Sequence, residues 1–350
     1  MLHTTISDKT TIKQALELFN KLAPEAILQT TLFITNNKKQ LVGVLTEGDI
    51  RRALLKGIEL KESVAFCMNK YFKFFNDNNY SASEVNKLKA KKIRFVPFLN
   101  KNNTLRRVYD LEQIRTILPI DVVIMCGGKG ERLRPLTEDT PKPLLKVGNK
   151  PIMEHTLDRL IQFGVQNFYF SVNYLKQKIE THFENGEKKG VSINYVHEKN
   201  PLGTIGSVSL IKKFSNDYIL VQNGDLITNI DYEALYHHAL KTKAAITVAT
   251  VPYSIDVPFA ILDLDKQQRV KGLYEKPRYT YEANAGIYLL HHSVLKLIPS
   301  QSVFNATDLI QAAMDAKKNV NTFPIIGYWT DVGRMEDFVK VQHDIQMVFN

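Results

Sequence analysis

Residues 120–130 read Ile-Asp-Val-Val-Ile-Met-Cys-Gly-Gly-Lys-Gly. A run of β-branched and apolar residues, with Asp121 its one charged member, meets a loop rich in glycine. Such a run has the composition of a strand buried on both faces, as in a parallel sheet. The glycines let a backbone approach phosphate closely, and their successive N–H groups form an anion-binding concavity. The loop does not fit G-x-x-x-x-G-K-[ST], because no Lys-Ser/Thr pair follows. Nor does it fit a dinucleotide fingerprint: no third glycine opens a helix, and Pro135 breaks one. Cations follow instead, at Arg132, Arg134 and Lys142.

Working outward, strands and helices alternate from Ile120 to the end. Strands are expected at Asn167–Val172, Ile193–His197, Tyr218–Gln222, Ala244–Val251, Ala260–Leu264 and Gly286–Leu290. Helices are expected at Ile152–Phe163, Leu175–Asn185, Gly206–Lys213, Tyr232–Lys241, Ser293–Ile298, Ala306–Lys317 and Met335–Phe349. This alternation predicts an α/β fold, a mostly parallel sheet with helices on both faces.

Upstream, the chain repeats itself. Thr31–Ile50 and Phe95–Ile114 match without a gap at an offset of 64 residues. Each reads as a strand, an Asn/Lys turn, a second strand and a helix. Helix-like runs precede both, at Thr11–Leu22 and Ser83–Lys91. A duplication of this period is beyond what composition explains. Pro119 separates the repeats from the second part, so the expected domains are 1–118 and 119–350.

Composition sets bounds. The chain has 350 residues, 44% hydrophobic and 23% charged, which excludes a disordered or collagen-like chain. No apolar run approaches the roughly 20 residues of a membrane span. The start, Met1-Leu2-His3-Thr4-Thr5, lacks a signal peptide's basic and apolar regions. Two cysteines, Cys67 and Cys126, make no disulfide framework. A cytoplasmic protein with reduced thiols is expected. Of the net charge of +10, residues 1–119 carry +9 and the remainder +1. The excess is scattered along a Lys-rich surface, and nucleic-acid binding is not expected.

Motifs in the second part occur in a fixed order. Gly127-Gly128-Lys129-Gly130-Glu131-Arg132-Leu133-Arg134-Pro135-Leu136-Thr137 and Pro141-Lys142-Pro143 come first. Pro201-Leu202-Gly203-Thr204, Asn223-Gly224-Asp225, Glu275-Lys276-Pro277, Asn284-Ala285-Gly286 and Trp329-Thr330-Asp331-Val332-Gly333 follow. Together they resemble the nucleotide-sugar pyrophosphorylases, the sugar-1-phosphate nucleotidylyltransferases, from Ile120 to about Val341. The resemblance implies a Rossmann-like mixed, mostly parallel sheet and transfer of a nucleoside monophosphate from an NTP to a sugar 1-phosphate. It assigns catalysis to Arg132, Lys142 and Asp225. It assigns nucleotide binding to Gly127, Gly128, Gly130, Glu198, Gly203 and Thr204. The sugar phosphate falls to Glu275, Lys276, Asn284 and Gly286. Asp225 and Asp331 are the expected Mg²⁺ ligands, since two carboxylates plus phosphate oxygens make a hard, partly hydrated site. An Asn-Gly-Asp turn and a Thr-Asp cap are the structural alternatives for those two aspartates.

Glu198 bears on the nucleotide. Guanine offers two adjacent donors, N1–H and N2–H₂, and a carboxylate accepts both, whereas uracil and thymine offer one donor beside acceptors. Glu198 therefore leans the reading to GTP, against a solvent-facing Glu at a strand end. UTP and dTTP stay open, as do mannose and heptose 1-phosphates. Cys126 stands where this family has Ala, and Phe259-Ala260 stands where many members have an aromatic followed by Gly.

Gly43-Val44-Leu45-Thr46-Glu47-Gly48-Asp49-Ile50-Arg51 resembles the CBS signature, so 1–118 is similar to a tandem CBS (α+β) pair. The resemblance implies that Thr46 and Asp49 hold the ribose of an adenine nucleotide. Their counterparts in the second copy are Asp110 and Gln113, and Gln lacks the anionic acceptors a ribose diol favours. A pure docking or dimerisation module is the alternative, and a homo-oligomer is expected. The fusion of the two parts resembles the glucosamine-1-phosphate guanylyltransferases of bacterial legionaminic acid synthesis. A second class of function, an adenine-nucleotide sensor on an inactive transferase scaffold, is disfavoured by the four charges in motif at Arg132, Lys142, Asp225 and Asp331.

Overall fold

The structure is a computed structural model that describes residues 4–22, 31–76 and 82–349. Met1-Leu2-His3, part of the N-terminal reading above, lies outside the described residues. The chain divides into two compact units. One is Met1–Leu118 with Gln162–Gly164 and Glu187–Gly190; the other is Pro119–Ile161, Val165–Gly186 and Val191–Asn350.

The first unit opens with β1 (Thr5–Ser7), α1 (Ile12–Leu22), β2 (Leu32–Thr35), β3 (Leu41–Leu45) and α2 (Glu47–Leu55). Helix α1 turns Ile12, Ala15 and Phe19 inward, onto Leu32, Ile34, Leu45 and Ile50. Then come α3 (Ala82–Ala90), β4 (Phe95–Leu99) and β5 (Leu105–Asp110), around Val85, Leu88, Val96, Phe98 and Tyr109. The repeat persists into backbone detail. The β2–β3 ladder is irregular at Ile34/Thr35, and the β4–β5 ladder at Phe98/Leu99. Lys39 and Asn103 both take a left-handed φ of 59°. The Asn36 side chain accepts from the N–H groups of Lys38 and Gln40, and Asn100 accepts from those of Asn102 and Thr104. Every one of these pairs is 64 residues apart.

The copies diverge after the hairpin. The expected second helix is replaced by a turn beginning at Leu111. In the first copy, Thr46 and Asp49 form a reciprocal capping box that starts α2. In the second, Asp110 is held by Arg94 at 3.0 Å and accepts from the Glu112 N–H, so it caps a turn instead. Pro119 then discourages helical conformation just before it.

The second unit runs through β6 (Ile120–Met125), β7 (Lys146–Val147), β8 (Lys150–Pro151), α4 (Ile152–Gln162), β9 (Asn167–Val172) and α5 (Lys176–Phe183). It continues with β10 (Ser192–His197), β11 (Tyr218–Asn223), β12 (Leu226–Thr228), α6 (Tyr232–Thr242), β13 (Ile246–Asp256), β14 (Ile261–Leu264) and β15 (Val270–Tyr274). It ends with β16 (Arg278–His291), α7 (Ala306–Asp315), β17 (Val320–Pro324), β18 (Trp329–Asp331) and α8 (Met335–Phe349). The central sheet has the order β10-β9-β6-β11-β16-β13-β17. Only β16 runs antiparallel to its neighbours, so the sheet is mixed and mostly parallel. The expected helices at 206–213 and 293–298 are 3₁₀ turns, Gly206–Leu210 and His292–Leu297.

Past Thr250, β13 and β16 run on together as a two-stranded ribbon. One face pairs Tyr253 with Tyr281 and Ile255 with Tyr279, all exposed. The other pairs Ser254 with Thr280, through a hydroxyl hydrogen bond, and Asp256 with Arg278. The hairpin β14–β15 lies between the two strands in sequence.

Candidate active site

The carboxyl ends of β6, β9, β10 and β11 lie side by side, because these four strands are parallel neighbours. In open α/β sheets this is where ligands bind. Three of them deliver a motif there. β6 opens into Cys126–Gly130, β11 into Asn223-Gly224-Asp225, and β10 into Glu198. The Gly224 N–H donates to the Met125 carbonyl at 2.9 Å and stitches two of the ends together. A Cβ on Gly224 would lie 2.8 Å from that carbonyl, which explains the glycine.

Asp331 arrives by a non-local route. β12 and β18 pair antiparallel, with Leu226 opposite Asp331, and the Val332 N–H donates to the Asp225 carbonyl at 3.1 Å. The two carboxylates thus share a site. Lys142, only 9% exposed, lies between them. Its ammonium donates to Asp225 Oδ2 and is 3.5 Å from Asp331 Oδ1. Burial, then the charge of Asp225, raises the Asp331 pKa above the usual carboxylate value, while Lys142 and Arg132 pull it down. Asp225 Oδ1 and Asp331 Oδ1 are buried and accept no hydrogen bond. Two hard oxygens, one without any hydrogen bond among the described residues and the other with only the ammonium at 3.5 Å, suit a divalent cation whose other ligands are phosphate oxygens and water.

The Gly-rich loop is shaped by contacts. Gly130 has φ 66°, and a Cβ there would crowd Thr137 at 3.0 Å and Lys142 at 3.2 Å. The Thr137 hydroxyl closes the loop on the Gly130 carbonyl at 2.9 Å. Gly128 has open space where a side chain would be. Arg132 is exposed, on the 3₁₀ turn Glu131–Leu133. Cys126 is buried, and its thiol pKa is pushed well up, first by burial and then by Asp225 and Glu198. A thiol so held is an inert packing group.

Glu198 is half-buried and tightly held, unlike the solvent-facing Glu of the alternative reading. Oε1 accepts from the Ser171 hydroxyl at 2.5 Å and Oε2 from the Leu202 N–H at 2.9 Å. A Cβ on Gly127 would sit 3.3 Å from Oε1. Ser171 and the neighbouring Asn173, whose amide donates to the Glu198 carbonyl at 2.9 Å, were not singled out from sequence. Their signal was polar residues at the carboxyl end of a buried strand.

Residues 121–347 match the family described as nucleotidyl transferase, and residues 3–56 match the CBS domain. The chain belongs to the nucleotidyl transferase family. It is 31% identical over 231 residues to a mannose-1-phosphate guanylyltransferase of Mycobacterium tuberculosis, covering 65% of this chain and 64% of that one. This nucleotidyl transferase spans between 53% and 64% of the length of curated relatives it matches. A Bacillus anthracis structure assigned as a glucose-1-phosphate thymidylyltransferase aligns with TM-score 0.53 and 25% identity, over 64% of this chain and 94% of that one. HddC from Yersinia pseudotuberculosis, solved with GMP-PN, aligns with TM-score 0.50 and 25% identity, over 64% and 99%.

The other expected residues of this nucleotidyl transferase are placed as follows. Gly203 has φ 78°, and its missing Cβ would strike the Phe304 carbonyl at 2.6 Å. The Thr204 hydroxyl accepts from the Ala306 N–H at 2.8 Å, at the start of α7. Packing onto 304–306 therefore accounts for both residue types. Asn284 accepts from the Gly286 N–H at 2.9 Å and donates to the Tyr288 hydroxyl at 2.8 Å. Gly286 has φ 71° and lies against Asn223. The Trp329 indole donates to the Ala285 carbonyl at 2.9 Å, which ties this segment to β18. Glu275 and Lys276 are exposed between β15 and β16, with no side-chain partner among the described residues. Lys276 holds a left-handed φ of 44°, a conformation that costs energy for a residue with a Cβ.

In the first unit, Thr46 and Asp49 are engaged with each other. Asp49 Oδ2 accepts from the Thr46 hydroxyl at 2.6 Å and its N–H at 2.9 Å, while Oδ1 pairs with Arg52 at 2.5 Å. Helix capping accounts for both residues.

Among the described residues, no helix is long and apolar enough to cross a membrane.

Proposed function

We propose that this chain transfers a nucleoside monophosphate from an NTP to a sugar 1-phosphate. GTP is the favoured nucleotide, and glucosamine 1-phosphate the favoured acceptor, for surface-glycan (legionaminic acid) synthesis. A phosphate oxygen of the sugar attacks the α-phosphorus in line, the bond to the bridging α–β oxygen breaks, and pyrophosphate leaves. Chemistry of this kind asks for positioning and charge neutralisation. The observation that carries the reading is Lys142 seated between Asp225 and Asp331 beside the Gly127–Gly130 loop.

In this reading, Lys142 faces the α-phosphate and the incoming phosphate, and Arg132 faces the departing pyrophosphate. Asp225 and Asp331 would hold Mg²⁺, which supplies charge neutralisation at the phosphate oxygens when bound. Lys276 contacts the sugar phosphate, Glu275 a sugar hydroxyl, and Asn284–Gly286 line the sugar pocket. Glu198 reads the base. The relatives support the class of reaction. Their names divide between guanylyl and thymidylyl transfer, so the base is the finer part of the proposal.

The first unit is read as a CBS module that favours self-association. Adenine nucleotide at Thr46/Asp49 is its regulatory form. Absence of any effect of ATP, ADP or AMP on binding or rate would remove that form.

The test is pyrophosphate release with Mg²⁺ and glucosamine 1-phosphate across GTP, UTP, dTTP, CTP and ATP. Release with GTP alone supports nucleotide and class together. Release with UTP or dTTP keeps the class and discards the base reading. Silence with every nucleotide, on mannose and heptose 1-phosphates as well, overturns the proposal.

A further inference from the structure

Ser171 is fully buried on β9, in a strand whose other face packs Phe168, Phe170 and Val172. A hydroxyl in such a place is costly unless it is bonded. Its partner is Glu198, at 2.5 Å, and its backbone carbonyl accepts from the Cys126 N–H at 2.8 Å. One residue therefore ties the Gly-rich loop to the carboxylate beside it.

The geometry sets what Glu198 can still accept. A carboxylate has about four lone-pair sites, two on each oxygen. Ser171 occupies one on Oε1, and the Leu202 N–H occupies one on Oε2. One site on each oxygen is left. Oε1 borders the space left by the missing side chain of Gly127, 3.3 Å from where a Cβ would sit, with the Asn173 Cβ at the same distance. We infer that Ser171 is a positioning residue for base selection: its hydroxyl fixes the Glu198 carboxylate so that the two remaining sites face the adjacent N1–H and N2–H₂ donors of guanine. This inference rests on Glu198 reading the base.

A carboxylate held at both oxygens cannot turn to suit another donor pattern. Sites built this way reject a ligand that leaves their polar groups unpaired. Ser171→Ala removes one of the two restraints and frees rotation about the last side-chain torsion. The loss expected is that of one hydrogen bond to a charged group, about ten- to a hundredfold in the ratio of GTP to UTP affinity. It appears in the Kd and KM for GTP, with kcat on GTP and the constants for UTP little changed.

The experiment measures equilibrium binding of GTP and UTP with Mg²⁺, and kcat/KM for each. It uses the full chain as wild type, Ser171→Ala, Ser171→Cys, Glu198→Gln and Ser171→Ala/Glu198→Gln, with thermal unfolding of each. Cysteine keeps the size and a weak donor, so Ser171→Cys should show a smaller loss in the same direction, and it carries the test if alanine does not fold. Reduced GTP preference in the Ser171 variants, with the double variant no worse than Glu198→Gln, supports the inference, because residues acting through one group are non-additive. If Glu198→Gln loses the preference while the Ser171 variants keep it, the inference falls and the base reading stands. A double variant worse by the full Ser171 effect also overturns it. If wild type shows no preference, or Glu198→Gln retains it, the base reading has failed and takes the inference with it.

Discussion

The Lys142 ammonium donates to the Asp225 carboxylate across 83 positions of sequence. In this arrangement the Lys142 cation serves as counter-ion to both Asp225 and Asp331. Lys142→Ala should leave Asp225 and Asp331 facing each other without compensation. A fall in kcat/KM on the order of 10²–10³ is expected, with a folded protein by circular dichroism. Near-wild-type turnover would remove Lys142 from the mechanism.

Asp331 predicts a pH effect on stability. Burial and the Asp225 charge raise its folded pKa above the unfolded value of 3.8, so the folded state binds the proton more tightly. Its contribution to stability is present at low pH and is lost as pH rises through the raised pKa. Asp331→Asn should therefore abolish turnover yet raise the Tm at pH 7. The gap from wild type should shrink as pH falls toward 4, followed by thermal unfolding between pH 4.5 and 8. A lowered Tm at pH 7 would contradict the assignment.

Lys276 combines exposure, no side-chain partner among the described residues and a left-handed φ. Replacing it with glycine removes the side chain and relieves the backbone. Stability should rise by about 0.5–1 kcal/mol, while KM for the sugar phosphate rises about tenfold or more and KM for the nucleotide holds. Unchanged kinetics for the sugar phosphate would make Lys276 an ordinary surface residue.

Thr46 is expected to matter to folding before anything else. Thr46→Ala removes the cap of α2 and should lower the stability of the first unit by about 1 kcal/mol, read by urea unfolding. Basal transferase rates should not change.

What sequence revealed and what it hid follow a physical line. β6, β9 and α8 fall where apolar periodicity places them, because the residues each element buries, such as Val341 and Ile345 of α8, recur at the spacing of a strand or a helix. The hairpin turns repeat because Asn36 and Asn100 organise their own backbones locally. The missing second helix shows the converse. Asp110 carries the same spacing as Thr46, but Arg94, distant in sequence, takes its carboxylate. β12 and β18, three residues each, depend on one another and had no local signal. In the site, the charged residues stood out by motif. Ser171 did not: a serine near the carboxyl end of Asn-Phe-Tyr-Phe-Ser-Val marks a polar position there but does not name the carboxylate folded over it.

β16 has a mechanical consequence. It is one strand of 14 residues, exposed along Arg278–Glu282 and buried from Ala285 onward, with Asn284 and Gly286 at the changeover. No loop interrupts it, and its register against β13 shifts between Asn284 and Tyr288, around the left-handed Gly286. Load on its exposed tyrosines would reach the Asn284–Gly286 backbone at that shift, the segment that the Trp329 indole ties to the strand carrying Asp331. The outer half is a handle whose shaft ends at the candidate site.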